Sequence, residues 1–169
     1  MIVAETDRLT LRRMTEADAV HMLAILTDTD FVRFVGDRGV RTLEAAESYL
    51  RAGPMASYEQ HGFGLYLVIR RDDESAVGVC GLLKRDYLED VDVGYALLPH
   101  ARGHGFALES VRAVSEHAAR DVGVTRLLAI ISPENAASRV VAERAGMREH
   151  RALTDTNGHE VIVYEKLLA

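Results

Sequence analysis

The chain has 169 residues, 48% of them hydrophobic, and a formal net charge of −6. That length and apolar content suffice for one compact domain, residues 1–169, with a filled core. The acidic balance lacks the clustered Lys and Arg that a phosphate backbone requires, which argues against nucleic acid as a partner and favours approach of cationic ligands such as amines.

Along the chain, Leu9 and Leu11 alternate with Arg8, Thr10 and Arg12, the period of a half-buried strand. Thr15-x-x-Asp18 then has the spacing of a capping box, with Asp in place of Glu, opening a helix that carries Ala19, Met22, Leu23 and Leu26 on one face. A second helix is expected over residues 42–60, with Pro54 as the point that divides it. From Gly62 the pattern changes to three strands, residues 63–71, 76–85 and 91–98, separated by polar turns as in an antiparallel meander. Residues 107–122 carry Leu108, Val111, Val114, Ala118 and Val122 on one helical face, and Gly123 is placed to cap that helix. A strand over residues 126–131, a helix over residues 135–145 ending at Gly146, and two closing strands, the last over residues 160–168, complete the order. Strands mixed with helices in this sequence imply an α/β (α+β) fold built on one sheet.

No apolar run approaches the ~20 residues of a membrane span, and residues 1–13 lack the apolar stretch of a signal peptide. A soluble cytoplasmic protein with no membrane partner is expected. Cys80 is the only cysteine, and its neighbours Val77, Val79 and Leu82 make it a packing thiol of a buried strand. The histidines form no zinc-binding spacing and the single cysteine adds nothing to one, so no metal is expected.

The segment with the clearest chemistry is Arg102-Gly103-His104-Gly105-Phe106-Ala107, between a strand and a helix. Its two glycines permit a tight bend, and the first turn of the following helix presents unpaired N–H groups at the positive end of the dipole, which suits a phosphate or pyrophosphate. Arg102 adds a permanent positive charge. A P-loop is excluded because G-x-x-x-x-G-K-[ST] is absent, and a dinucleotide fingerprint is excluded because Leu108 stands where its third glycine belongs. A tight turn with no ligand remains the competing reading.

Here the residues resemble a known family. Asp92-Val93-Gly94-Tyr95-Ala96-Leu97-Leu98-Pro99 followed by Arg102-x-x-Gly105-x-Ala107 is similar to the acyl-CoA motif of the GNAT N-acetyltransferases, in particular their RimJ/RimL-type branch. The opening Thr6-Asp7-Arg8-Leu9-Thr10-Leu11-Arg12 and the later Asn135-x-x-Ser138-x-x-Val141-x-Glu143-x-x-Gly146 resemble the same family in the right order. The resemblance implies a mixed, mostly antiparallel sheet of six to seven strands with helices on both faces. It implies acetyl-CoA as co-substrate, its pyrophosphate held by the backbone amides of Arg102, Gly103, His104, Gly105, Phe106 and Ala107. Leu97 and Leu98 would offer main-chain groups to pantetheine, beside Gly94, which is either a bulge that helps open the slot or an ordinary packing glycine. Asn135 would contact the pantetheine arm, although its spacing to Ser138 is equally that of a helix N-cap. Many relatives protonate the leaving thiolate with a tyrosine at the position of Ala142, so Ser138 or a water is the candidate here.

The implied reaction is direct attack of a primary amine on the thioester. An α-amine with pKa near 8 is roughly a tenth neutral at pH 7, against about 0.04% for a lysine near 10.4, so the acceptor sets how strong a base is needed. Asp92 is the candidate base; Glu89 and Asp90 read more readily as a solvated acidic turn. His100 and His104 fall on the cofactor side or the surface. Phe31 and Phe34, with Val35, mark the acceptor pocket together with the loop before the closing strand, unless they are simply core. The first-choice acceptor is the α-amine of a protein or peptide, with a small antibiotic or polyamine amine, or a non-catalytic CoA-binding module, as alternatives. Unpaired elements near either end of the chain are candidate surfaces for a homodimer.

Overall fold

The computed structural model describes residues 1–168. Eight strands form one sheet: β1 (Ile2–Glu5), β2 (Leu9–Arg13), β3 (Leu65–Arg70), β4 (Ala76–Leu83), β5 (Asp92–Leu97), β6 (Arg126–Ile131), β7 (Arg148–Thr154) and β8 (Glu160–Leu167). Their order is β1-β2-β3-β4-β5-β6-β8-β7, and every neighbouring pair is antiparallel except β5 with β6. The expected six to seven strands become eight because β1 is added at one edge. It is a four-residue strand, exposed at both ends, with no alternation to announce it in the sequence.

Alternation along the central strands divides the core into two layers. Tyr66 and Val68 of β3, with Cys80 and Leu82 of β4, face one layer, while Leu67 and Val79 face the other. The first layer is covered by α5 (Phe106–His117), whose Val111 and Val114 are buried against it, and by α6 (Ala136–Arg144) through Ala142. The second is covered by α1 (Ala19–Leu26) and α3 (Leu43–Leu50) through Met22, Ile25, Ala46 and Leu50. The short α2 (Thr29–Phe34) follows α1.

Local signals explain most boundaries. The backbone N–H of Thr15 donates to Asp18 Oδ2 at 2.9 Å, and Arg12 holds the same carboxylate at 2.8 and 3.0 Å, so the helix start is tied to β2. Pro54 does divide the second helical stretch: α3 passes into a wider π-type turn over Arg51–Met55, then into α4 (Ala56–His61), without interrupting the chain's helical course. Proline removes one N–H and crowds the preceding turn, and widening that turn accommodates it. Gly123 ends the α5 stretch in the left-handed region, at φ 85°, as a C-terminal cap.

The turn between β1 and β2 is clamped to the first turn of α5. Glu109 accepts from Thr6 Oγ1 at 2.7 Å, from the Arg8 N–H at 3.2 Å and from Arg8 Nε at 2.7 Å. This gives the Thr6-Asp7-Arg8 opening a physical role: it fixes where α5 begins. Replacing Glu109 with Ala is expected to lower the unfolding free energy by roughly 1–2 kcal/mol in a urea titration, the scale of a charged hydrogen-bond cluster that water partly screens.

Candidate active site

Each of the two parallel strands is committed elsewhere. β5 pairs with β4 at six successive positions, and β6 pairs with β8 at six. Between them there is one registered pair, Asp92 opposite Leu128, supported by the Leu128 N–H donating to the Val91 carbonyl at 3.0 Å. Beyond Asp92 the strands part. The Leu98 N–H donates to Val77 O at 2.9 Å, toward β4, so alternation turns the backbone groups of Tyr95 and Leu97 toward the gap.

Two sequence expectations change here. The register Gly81 opposite Gly94 runs unbroken, so Gly94 is no bulge in its pairing with β4; the gap comes from β6 following β8. Leu98 spends its N–H on Val77 and its carbonyl on Ala101, and Arg102 Nη2 reaches the Leu97 carbonyl at 3.0 Å. The open edge therefore belongs to Tyr95 and Leu97 rather than to Leu97 and Leu98.

At the end of that edge lies the glycine turn. Gly103 and Gly105 take φ of 79° and 78°, conformations that side-chain-bearing residues resist. The Arg102 N–H is spent on Pro99 O at 3.3 Å. The amides of Gly103, His104, Gly105, Phe106 and Ala107 have no hydrogen-bond partner among the described residues, the last two as the first N–H groups of α5. Arg8 braces the turn from behind, donating to His104 O at 2.8 Å and lying over the Phe106 ring at 4.5 Å, while Phe106 itself is buried in the core. A Cβ at Gly105 would stand 3.4 Å from that guanidinium. Arg102 is not free to face a phosphate: it reaches Asp28 at 2.5 Å and Asp30 at 3.1 Å, binding the turn to the start of α2. His104 is exposed and stacks on Phe106.

Across the gap, Asn135 caps α6, its Oδ1 accepting from the Ser138 N–H at 3.2 Å. Ser138 Oγ in turn accepts from the Tyr95 hydroxyl at 2.9 Å. Two cavities meet at this contact. One, of about 360 Å³, is lined by Leu97, Arg102, Gly103, Gly105, Phe106 and Ala107, with Asp28, Asp30 and Arg144. The other, of about 370 Å³, is lined by Met22, Tyr49, Leu65 and Val79 from one core layer and by Val111, Ala129 and Ala142 from the other. It therefore passes through the sheet where β5 and β6 separate. Phe31, Phe34, Tyr95, Asn135 and Ser138 border both cavities. The loop residues Asp155, Thr156 and Asn157, before the last strand, also line the second.

Asp92 lies in the wall of this second cavity, 1% exposed. Burial raises its carboxyl pKa to about 6, against the opposing pull of Arg85, whose Nε sits 3.1 and 3.2 Å from its two oxygens. Arg85 went unread in the sequence, although the hairpin register that sets Leu83 opposite Asp92 brings it there. Glu89 and Asp90 point away into an ion-pair group around Arg126. Hydrogen bonding and the Arg126 and Arg151 guanidiniums hold the Glu89 pKa down at about 2. Cys80 is buried, and desolvation pushes its thiol far up, consistent with a packing role. No group of residues suited to holding a metal occurs among the described residues, and no helix there is long and apolar enough to cross a membrane.

The sheet is thus parted between two parallel strands, with a glycine turn of free amides at one end of the gap and a buried carboxylate at the other. The chain belongs to the GNAT acetyltransferases: the family described as "Acetyltransferase (GNAT) domain" matches residues 8–148. A relative, the uncharacterized N-acetyltransferase YoaA of Bacillus subtilis (strain 168), is 26% identical over 153 residues, covering 89% of this chain and 85% of its own. The fold is also that of RimL, a ribosomal L7/L12 α-N-protein acetyltransferase solved with coenzyme A (TM-score 0.80, 20% identity, 99% and 98% of the two chains). It is shared by the Salmonella typhimurium acetyl transferase that modifies the N-terminal serine of L7/L12 (TM-score 0.83, 18% identity, 100% of both chains).

Replacing Gly105 with Glu adds a negative charge among the free amides and a Cβ in the left-handed region. Calorimetric titration with CoA is expected to show affinity at least ~100-fold weaker, the loss of one or two charge-assisted hydrogen bonds, with a cooperative melting transition retained.

Proposed function

We propose that this protein transfers an acetyl group from acetyl-CoA to a primary amine by direct attack, with the α-amine of a protein or peptide as acceptor. The observation that carries the reading is the meeting of the two cavities at Ser138, with free amides at the far end of one and Asp92 in the wall of the other.

In this reading Gly103 to Ala107 hold the pyrophosphate with backbone N–H groups, while the exposed edge at Tyr95 and Leu97 and the Asn135 side chain receive the pantetheine arm. Phe31 and Phe34 border both cavities and shield the junction from water. Asp92 accepts the proton that the acceptor nitrogen gives up, directly or through a water, and Ser138 Oγ donates to the departing sulfur. A base near pKa 6 deprotonates an amine near pKa 8 at a cost of about 2.7 kcal/mol, against about 6 kcal/mol for a lysine near 10.4. That difference favours an α-amine. RimL, which shares the fold, is titled an α-N-protein acetyltransferase and was solved with CoA, which supports the same choice.

The test is thiol release from acetyl-CoA with panels of peptides and small amines. Peptides with free N-termini are expected to outpace both N-blocked lysine peptides and polyamines; the reverse order would replace the acceptor, and CoA binding without release above background would leave only a binding module. Because Asp92 must be ionised to accept a proton, kcat/KM is expected to fall as pH drops through about 6. In Asp92→Asn that limb should vanish and kcat/KM at pH 7.5 should drop by about 100-fold or more.

A further inference from the structure

The Ser138 hydroxyl has one proton to give and is already accepting a hydrogen bond at 2.9 Å from Tyr95. That bond leaves the Ser138 proton free for another acceptor at the junction that both residues border. The Asn135 cap holds the Ser138 backbone in place from the other side. Ser138 is the only hydrogen-bond partner of the Tyr95 phenol among the described residues, and burial keeps that phenol protonated well into the alkaline range, somewhat offset by its bond to Ser138. Ala142 is buried in the wall of the second cavity and offers no proton. Tyr95 brings a phenol to the same junction from the opposite strand.

Resting on the acetyl-transfer reading above, we propose that Tyr95 and Ser138 form a two-hydroxyl relay, with Tyr95 as the positioning and proton-supplying residue behind Ser138. As the acceptor nitrogen forms its bond to the thioester carbon, the C–S bond breaks and sulfur leaves with the electron pair. Ser138 Oγ gives its proton to that sulfur and takes the proton of the Tyr95 hydroxyl. The proton lost by the acceptor nitrogen passes through Asp92 to solvent, and the phenolate recovers one from solvent, so the products are amide and free thiol with no net proton change.

The test uses the full chain, acetyl-CoA and an amine that the wild type acetylates. Tyr95→Phe is expected to lower kcat by about 10- to 100-fold while CoA affinity by calorimetry stays within about twofold. The rate in mixed H₂O and D₂O should bow for the wild type, with two protons in flight, and run straight for Tyr95→Phe. Tyr95→Phe combined with Ser138→Ala should be no slower than Ser138→Ala alone. Site-specific 3-fluorotyrosine at position 95 keeps the shape and the hydrogen bond while making the phenol more acidic, so the alkaline limb of kcat should move to lower pH. An undiminished kcat in Tyr95→Phe, losses that multiply in the double variant, or an unmoved limb with fluorotyrosine overturns the relay and leaves acetyl transfer standing. A wild type that releases no thiol with any amine overturns the acetyl-transfer reading, and the relay with it.

Discussion

Neighbouring parallel strands ordinarily share evenly spaced hydrogen bonds along their length. Here β5 and β6 share a single registered pair, because β5 is committed to β4 and β6 to β8 over six positions each. The rest of the site depends on that parting. It exposes backbone groups in the middle of the sheet, where a buried unpaired amide or carbonyl is costly, and so creates a slot that favours a ligand able to pair with an extended strand. It also opens a passage between the two core layers, so that groups arriving from opposite faces can meet without displacing the core.

Charge is distributed with the same economy. Arg102 is neutralised by Asp28 and Asp30, and its contribution is to fasten α2 and the Phe31 and Phe34 side chains beside the glycine turn. The positive character of the turn comes instead from backbone N–H groups held rigid by Arg8 and Glu109. Within the passage, Arg85 offsets part of the cost of burying Asp92, whose carboxyl pKa burial still raises to about 6. The distant acidic and basic side chains around Arg126 lie outside both cavities and tie β6 to the loop before β5 and to β8.

The glycine turn and the starts of α1, α5 and α6 were legible because each rests on a local signal. Gly103 and Gly105 at a strand-to-helix turn, Asn135 three residues before Ser138, and the capping spacing of Thr15 and Asp18 are properties of a few consecutive residues, and the chain cannot easily satisfy them another way. The misread points are all non-local. A bulge at Gly94, open backbone groups at Leu98 and a free Arg102 are each sensible for the residue alone, and each was decided by a partner far along the chain: Gly81, Val77 and Asp28. The eighth strand escaped notice because an edge strand needs no alternating pattern when neither face is fully buried.

By itself, then, the order of residues determined most of the element sequence, the mixed fold and the tight glycine turn, since periodicity, caps and left-handed glycines act over distances of a few residues. Tertiary structure alone decided which strands part, that Asp92 sits buried beside Arg85, and that the Tyr95 hydroxyl meets Ser138 across 43 positions of chain. Those outcomes follow from pairing and packing among segments whose separation leaves no trace in local pattern, and they shape the two cavities that meet between the core layers.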